Sequence, residues 1–270
     1  GDPLLIGGSH GLTRSARADA LLEPLRRLIA DLERTLSGDT FDPGTSKRAF
    51  ALGMGDAQAL TILPRLLAQL AADAPNVSLD VRPPPNDGGL PSLEQQLDLA
   101  LVIRPGSAPG LRARRLLDDS FVCMVRADHP DVNDQLDLDT YLALPHVLIS
   151  PQGEGPGVVD RLLAAQGLTR NVVLRIRYFL AAPLLVAASN LVVTLPLSLA
   201  RSFLSIAALR VLEPPIHIPT FATYMVWHER NERDPGHRWL RDAVAASATA
   251  AAVSIAPVPP SPHPQPPSQP

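Results

Sequence analysis

One cysteine, Cys123, stands in 270 residues. No internal disulfide can therefore hold this chain together, and a lone thiol fits a reducing compartment. Charge of one sign is lacking too: 24 Lys and Arg stand against 27 Asp and Glu, a formal net charge of −3. That balance offers nucleic acid no general attraction, so any DNA contact needs a local basic patch. The seven histidines are scattered, with no metal spacing such as H-E-x-x-H, and no metal is expected. Ser150 has no Gly-x-Ser-x-Gly context. Gly53-Met54-Gly55-Asp56 lacks the lysine and the glycine spacing of a phosphate loop. Cys123 lies in a strand-like apolar run, the setting of a small packing residue. We expect no catalytic residue, no cofactor and no enzyme.

Long hydrophobic runs are also missing. Gly1-Asp2-Pro3 is not a basic n-region and Leu4-Leu5-Ile6 is too short for an h-region, so no signal peptide is read and a cytoplasmic location is expected. Phe179 to Ala200 carries no charge, but Pro183, Asn190 and Pro196 interrupt it and Ser189 and Thr194 dilute it. A membrane-spanning helix is more continuously apolar. The run is predicted to be helix, strand and helix start in a buried core, with no membrane partner.

Apolar residues make up 46% of the chain, enough for a real core, and the length suits two lobes at about 100–200 residues per domain. Residues 13–37 read as one long helix. Ala18, Leu21, Leu25, Leu28 and Leu32 recur three and four apart as a narrow seam. Thr13 or Ser15 can cap its start and Gly38 can close its end. The pattern alone fits packing on its own domain or a dimer seam equally well. Residues 38–46 read as a hinge linker.

From residue 47 strands and helices alternate. Strands are predicted at Phe50–Met54, Val77–Val81 and Leu99–Ile103, with helices between them, and a second cycle begins at Phe121. That order argues for α/β lobes with parallel sheets. The residues after Ala256 are Pro/Ser-rich, and residues 249–270 are expected to form a disordered tail. In α/β sheets ligands sit beyond the carboxyl ends of the strands, where helix N-termini favour anions. The segments so placed are Gly55-Asp56-Ala57, Arg104-Pro105 and Ser150-Pro151-Gln152, and Phe179 can add an aromatic wall. The bland readings remain open: Asp56 as an N-cap, Arg104 as a solvated turn residue, Phe179 as core.

Several segments resemble LysR-type transcriptional regulators in order and spacing. Asp2-Pro3-Leu4-Leu5 with Gly11-Leu12-Thr13 resembles the end of that family's winged helix-turn-helix, with Arg14 where proline is frequent. Residues 13–37 then resemble its linker and dimerisation helix. Leu97-Asp98-Leu99-Ala100, the run from Arg115 to Cys123, and Asp128-His129-Pro130 are similar to further family segments. Phe179 to Pro183, Leu191 to Pro196, Val226-Trp227-His228, Asp234-Pro235 and Trp239-Leu240-Arg241 are similar to the branch of nodulation and aromatic-catabolism regulators.

The resemblance implies a long linker helix followed by two Rossmann-like lobes of the type 2 periplasmic-binding-protein kind. Lobe one would be residues 47–119 and 219–248, and lobe two 120–218. Residues 1–12 would be a remnant of the helix-turn-helix, the rest of which is missing. Promoter DNA would be reached only through that missing part. It further implies a small effector, aromatic or anionic, held at Gly55, Asp56, Ala57, Arg104, Ser150, Pro151 and Phe179. A homodimer or homotetramer would form through Leu21, Leu25, Leu28 and Leu32. Two rival classes stay open. A periplasmic solute-binding protein shares the plan but would bring a signal peptide and no linker helix. A small α/β enzyme would bring a nucleophile–base signature.

Overall fold

The computed structural model describes residues 4–8, 11–37, 40–85, 90–151, 153 and 155–253. It opens with an antiparallel hairpin of β1 (Leu5–Gly8) and β2 (Gly11–Arg14), in which the Thr13 hydroxyl donates to the Ile6 carbonyl at 3.3 Å. Thr13 is thus a strand residue. The cap of the following helix α1 (Ala16–Ser37) is Ser15, whose Oγ accepts the Ala18 N–H at 3.2 Å. Its seam is open to solvent: Leu25, Leu28, Ile29 and Leu32 are 48–63% exposed, and Leu21 is half-buried.

The first sheet is entered at β3 (Ala49–Gly53), followed by α2 (Asp56–Asp73), β4 (Ser78–Arg82), α3 (Leu90–Gln95), β5 (Leu99–Val102) and β6 (Leu111–Asp119). The chain crosses at Ser120 into a second sheet. It runs through β7 (Phe121–Arg126), α4 (Leu138–Ala143), β8 (Pro145–Ile149), α5 (Val158–Ala164) and β9 (Asn171–Ile176). It continues with α6 (Ala181–Ala187), β10 (Val192–Pro196), α7 (Leu197–Leu204) and β11 (Leu209–Leu212). A return crossing leads to β12 (Phe221–His228) in the first sheet and then to α8 (Pro235–Val253).

The two five-stranded sheets have the orders β4-β3-β5-β12-β6 and β11-β7-β10-β8-β9. Neither is all-parallel as expected. β12 is antiparallel to both β5 and β6, and β7 to both β10 and β11, while the remaining pairs are parallel. The reversed strand in each sheet is the one the chain enters directly from the other sheet. A parallel neighbour needs a crossover helix to bring the chain back, and neither crossing contains one. Helix–strand alternation reveals only the parallel part.

Period-two burial builds the cores. Along β7, Val122 and Met124 face the cluster with α6 and α7, and Cys123 and Val125 the opposite one with α4 and α5. In the first sheet, Phe50, Leu52, Leu99 and Met225 pack on Leu66 and Leu70 of α2 and Leu240 and Val244 of α8. The uncharged run 179–200 resolves into a turn, α6, β10 and the start of α7. Among the described residues no helix is long and apolar enough to cross a membrane. Helix α8 extends to Val253, so residues 249–253 are helical rather than tail, their alanines continuing the helix. Residues 254–270 lie outside the described residues.

Candidate functional site

At the end of β3, Gly55 is the N-cap of α2, with extended backbone and no side-chain cap. Asp56 is therefore not the cap. Its Oδ1 accepts the Ala57 N–H at 3.1 Å, and its Oδ2 reaches across to the second sheet, accepting the Leu180 N–H at 3.0 Å. Ala57 and Leu60 pack against the cluster of the second sheet that also takes in Phe179 and Leu180. Four of the expected contact residues, Gly55, Asp56, Ala57 and Phe179, are thus brought together, although Phe179 packs partly as core.

The others are not tied to Asp56 by its hydrogen bonds. Arg104 follows β5, the strand beside β3, is exposed, and makes no hydrogen bond or ion pair among the described residues. Ser150 follows β8, its N–H donating to the Ile176 carbonyl at 2.8 Å, and its carbonyl accepts the Gly153 N–H at 2.8 Å. Pro151 is exposed and Gln152 lies outside the described residues. The hydrogen bonds of the Asp56 carboxylate go to Ala57 and Leu180.

A crevice opens where the chain crosses between sheets. Gln58 and Thr61 of α2, Asp119 at the end of β6, Ser198 of α7, and Phe221 and Thr223 of β12 line it. Asp119 is 6% exposed. Its Oδ2 accepts the Ser198 hydroxyl at 2.6 Å and its Oδ1 the Ser120 N–H at 2.8 Å and the Ser198 N–H at 3.4 Å. Burial pushes this carboxyl above its ordinary value, and those hydrogen bonds oppose the shift. Phe121 and Phe221, one on each crossing, meet with centroids 4.9 Å apart and planes tilted by 43°. Sequence reasoning missed these residues. The crossings at Asp119-Ser120 and Pro219 were the available signal, since strands that leave one sheet for another meet there.

The buried titratable groups of the second sheet serve packing. Cys123 is fully buried, and its thiol is pushed up to about 12 by burial, which removes the reactive thiolate. Its Sγ lies 3.6 Å from Thr194 Oγ1, which also bonds the Tyr141 hydroxyl at 2.9 Å. His146 is fully buried, and burial brings it down to about 4, so it is neutral. Its Nε2 donates to the Tyr141 carbonyl at 2.6 Å, and its Nδ1 accepts from Arg170 at 3.3 Å. Arg170 pairs with Asp160 at 2.7 Å. This chain of partners fixes α4, α5 and β8 against one another. Among the described residues no group of three His, Cys, Asp or Glu could hold a metal.

The C-terminal segment Trp227-His228…Asp234-Pro235…Trp239-Leu240-Arg241 proves structural. Asp234 accepts the His237 N–H at 3.0 Å at the start of α8 and is clamped by Arg48 Nη1 at 2.8 and 2.9 Å. Arg241 lies over the Trp227 ring at 4.7 Å and donates to the Asn231 carbonyl at 3.1 Å and the Glu232 carbonyl at 3.0 Å. Trp239 meets Phe41 of the linker at 5.4 Å. These contacts tie α8 to the entry of the first sheet.

A fold of two sheets joined by two crossings, closed by this segment, can be compared with known proteins. Residues 43–249 match the LysR substrate binding domain. The chain belongs to the LysR family of transcriptional regulators. It is 34% identical over 249 residues to the HTH-type transcriptional regulator SyrM of Rhizobium meliloti, covering 91% of this chain and 76% of that protein. With the HTH-type transcriptional activator NahR of Pseudomonas putida it is 31% identical over 245 residues, 90% of this chain and 82% of the relative. The solved structure of a probable transcriptional regulator from Pseudomonas aeruginosa superposes with a TM-score of 0.79 at 29% identity, over 91% of this chain and 83% of that one. This LysR chain therefore carries the effector-binding regulatory domain of its family in a periplasmic-binding-protein-like fold, and is not an enzyme.

Proposed function

We propose that this LysR-family domain senses a small anionic or aromatic effector held between two lobes, residues 47–119 with 219–248 and residues 120–218. The observation that carries the reading is the meeting of α2 with the second sheet: its first turn places Asp56 on Leu180 and Ala57 in the cluster with Phe179. A ligand at such a seam touches both lobes and can prefer one arrangement over another, and only that differential affinity can signal. Gly55, Asp56, Ala57, Arg104, Ser150, Pro151 and Phe179 are its proposed contacts. The anionic character rests on the 18-residue helix α2 starting at this seam and on exposed Arg104, which follows the strand next to β3 and has no partner among the described residues. The aromatic character rests on Phe179 and on the resemblance to aromatic-catabolism regulators.

Self-association through the exposed seam of α1, as a dimer or tetramer, would convert lobe movement into a change of geometry. DNA would be contacted through the helix-turn-helix that the family resemblance places ahead of α1, not through the lobes. The test is a thermal-shift screen of aromatic carboxylates and phenols, with Arg104→Gln, Ser150→Ala and Phe179→Ala. A ligand that stabilises the protein and is weakened by at least one of these supports the site; a ligand that all three leave unchanged moves the site elsewhere.

A further inference from the structure

Two helices of the second sheet begin without a cap of their own. The N-cap residue of α6 is Leu180 and that of α7 is Pro196, and neither has a side-chain cap bond. A helix start leaves N–H groups in need of acceptors. Here carboxylates arrive from the first sheet's elements. Asp56, the first residue of α2, takes the Leu180 N–H at 3.0 Å. Asp119, the last residue of β6, takes the Ser198 N–H at 3.4 Å and its hydroxyl at 2.6 Å.

The two carboxylates are tied differently. Asp119 adjoins Ser120, whose carbonyl accepts the Leu197 N–H at 2.9 Å. The crossing strand itself therefore keeps Asp119 at α7 however the sheets pivot. Asp56 has no such tether: 124 residues separate it from Leu180. Its side chain is only half-buried, and a single hydrogen bond carries it across, so water can take the place of either partner.

We infer that Asp56 is a releasable latch between the lobes and Asp119 their fixed pivot. The Asp56–Leu180 bond holds the closed arrangement of this structure, together with the apolar contacts of Ala57 and Leu60. Its loss lets α2 and α6 separate while the crossings stay intact. The resting population of open and closed forms is then set within the chain, before any ligand binds. The inference does not depend on what the effector is.

The experiment uses the unliganded protein. Ala72→Cys in α2 and Ala164→Cys in α5, both exposed, carry a pair of spin labels for distance measurement, and buried Cys123 stays unlabelled. The wild type should give one narrow distance, and Asp56→Ala a longer and broader one. Amide exchange of Leu180 and the first turn of α6 should rise about ten- to a hundredfold, the worth of one hydrogen bond to a charged acceptor. Asp56→Asn, which keeps an acceptor oxygen, should fall between. Exchange at residues 119–121 and 197–198 should not change. Wild-type distances and exchange in Asp56→Ala would overturn the latch. An equal rise at 119–121 and 197–198 would overturn the distinction between latch and pivot.

Discussion

Replacing Asp234 with asparagine tests whether the clamp between the two ends of the first sheet holds the fold as argued. Arg48, just ahead of β3, meets Asp234, just ahead of α8, across 186 residues. Burial alone would raise this carboxyl. The hydrogen bonds from Arg48 and the His237 N–H, and the charges of Arg48 and His237, outweigh it and bring the carboxyl down to about 2. The folded value lies below the unfolded one of about 3.9, so the unfolded chain binds more protons as pH falls. The stabilisation is complete above about pH 4 and is lost as pH falls through about 2. Its size at neutral pH is about 2 kcal/mol, and the side chain is only 11% exposed, so screening removes little of it. Near pH 3 about half should remain. Asp234→Asn should lower the urea unfolding free energy by about 2 kcal/mol at pH 7 and by about 1 kcal/mol at pH 3, and lower Tm at pH 7 by about 4–8 °C. Arg48→Met should reproduce the loss. A difference independent of pH, or no difference at pH 7, would refute the reasoning.

The neutral, buried His146 works in the opposite sense to a salt-bridged histidine. Its folded value of about 4 lies below the unfolded one, so wild-type stability should fall by about 3 kcal/mol between pH 7 and pH 4, and His146→Gln should flatten that slope in urea unfolding. Cys123 should resist thiol reagents at pH 8 in the native protein and react fully in denaturant, since burial pushes it up to about 12. Leu66→Ala, at a fully buried position between α2 and the first sheet, should cost about 2–5 kcal/mol. Deleting residues 13–37 should lower the number of chains per particle seen by light scattering; an unchanged oligomer would place self-association on the lobes.

Elements whose signal is local were legible in the sequence. The seam of α1, the alternation of β3 and β4, and the breakers Pro183, Asn190 and Pro196 each carry their own evidence within a few residues. Strand β6 was not read, because Arg112, Arg114 and Arg115 face solvent at a sheet edge and hide the alternation. The short helix α4 and strand β11 offer too few residues for a period to show. Sheet direction was misjudged where the chain crosses without a helix. The candidate site was legible only as strand ends. That Asp56 bonds Leu180 as well as its own helix turn, and that Asp119 serves α7, depends on partners 124 and 79 residues away, which no local pattern encodes. The C-terminal residues that look most like a motif serve the clamp between α8 and the entry of the first sheet.

The most direct test of the central claim is hydrogen exchange of the full chain with and without an effector from the screen. A ligand seated between the lobes should protect amides at the strand ends of both sheets together: residues 55–57 and 104 in the first, 150 and 179–180 in the second. Protection confined to one sheet, or to α1, would contradict it.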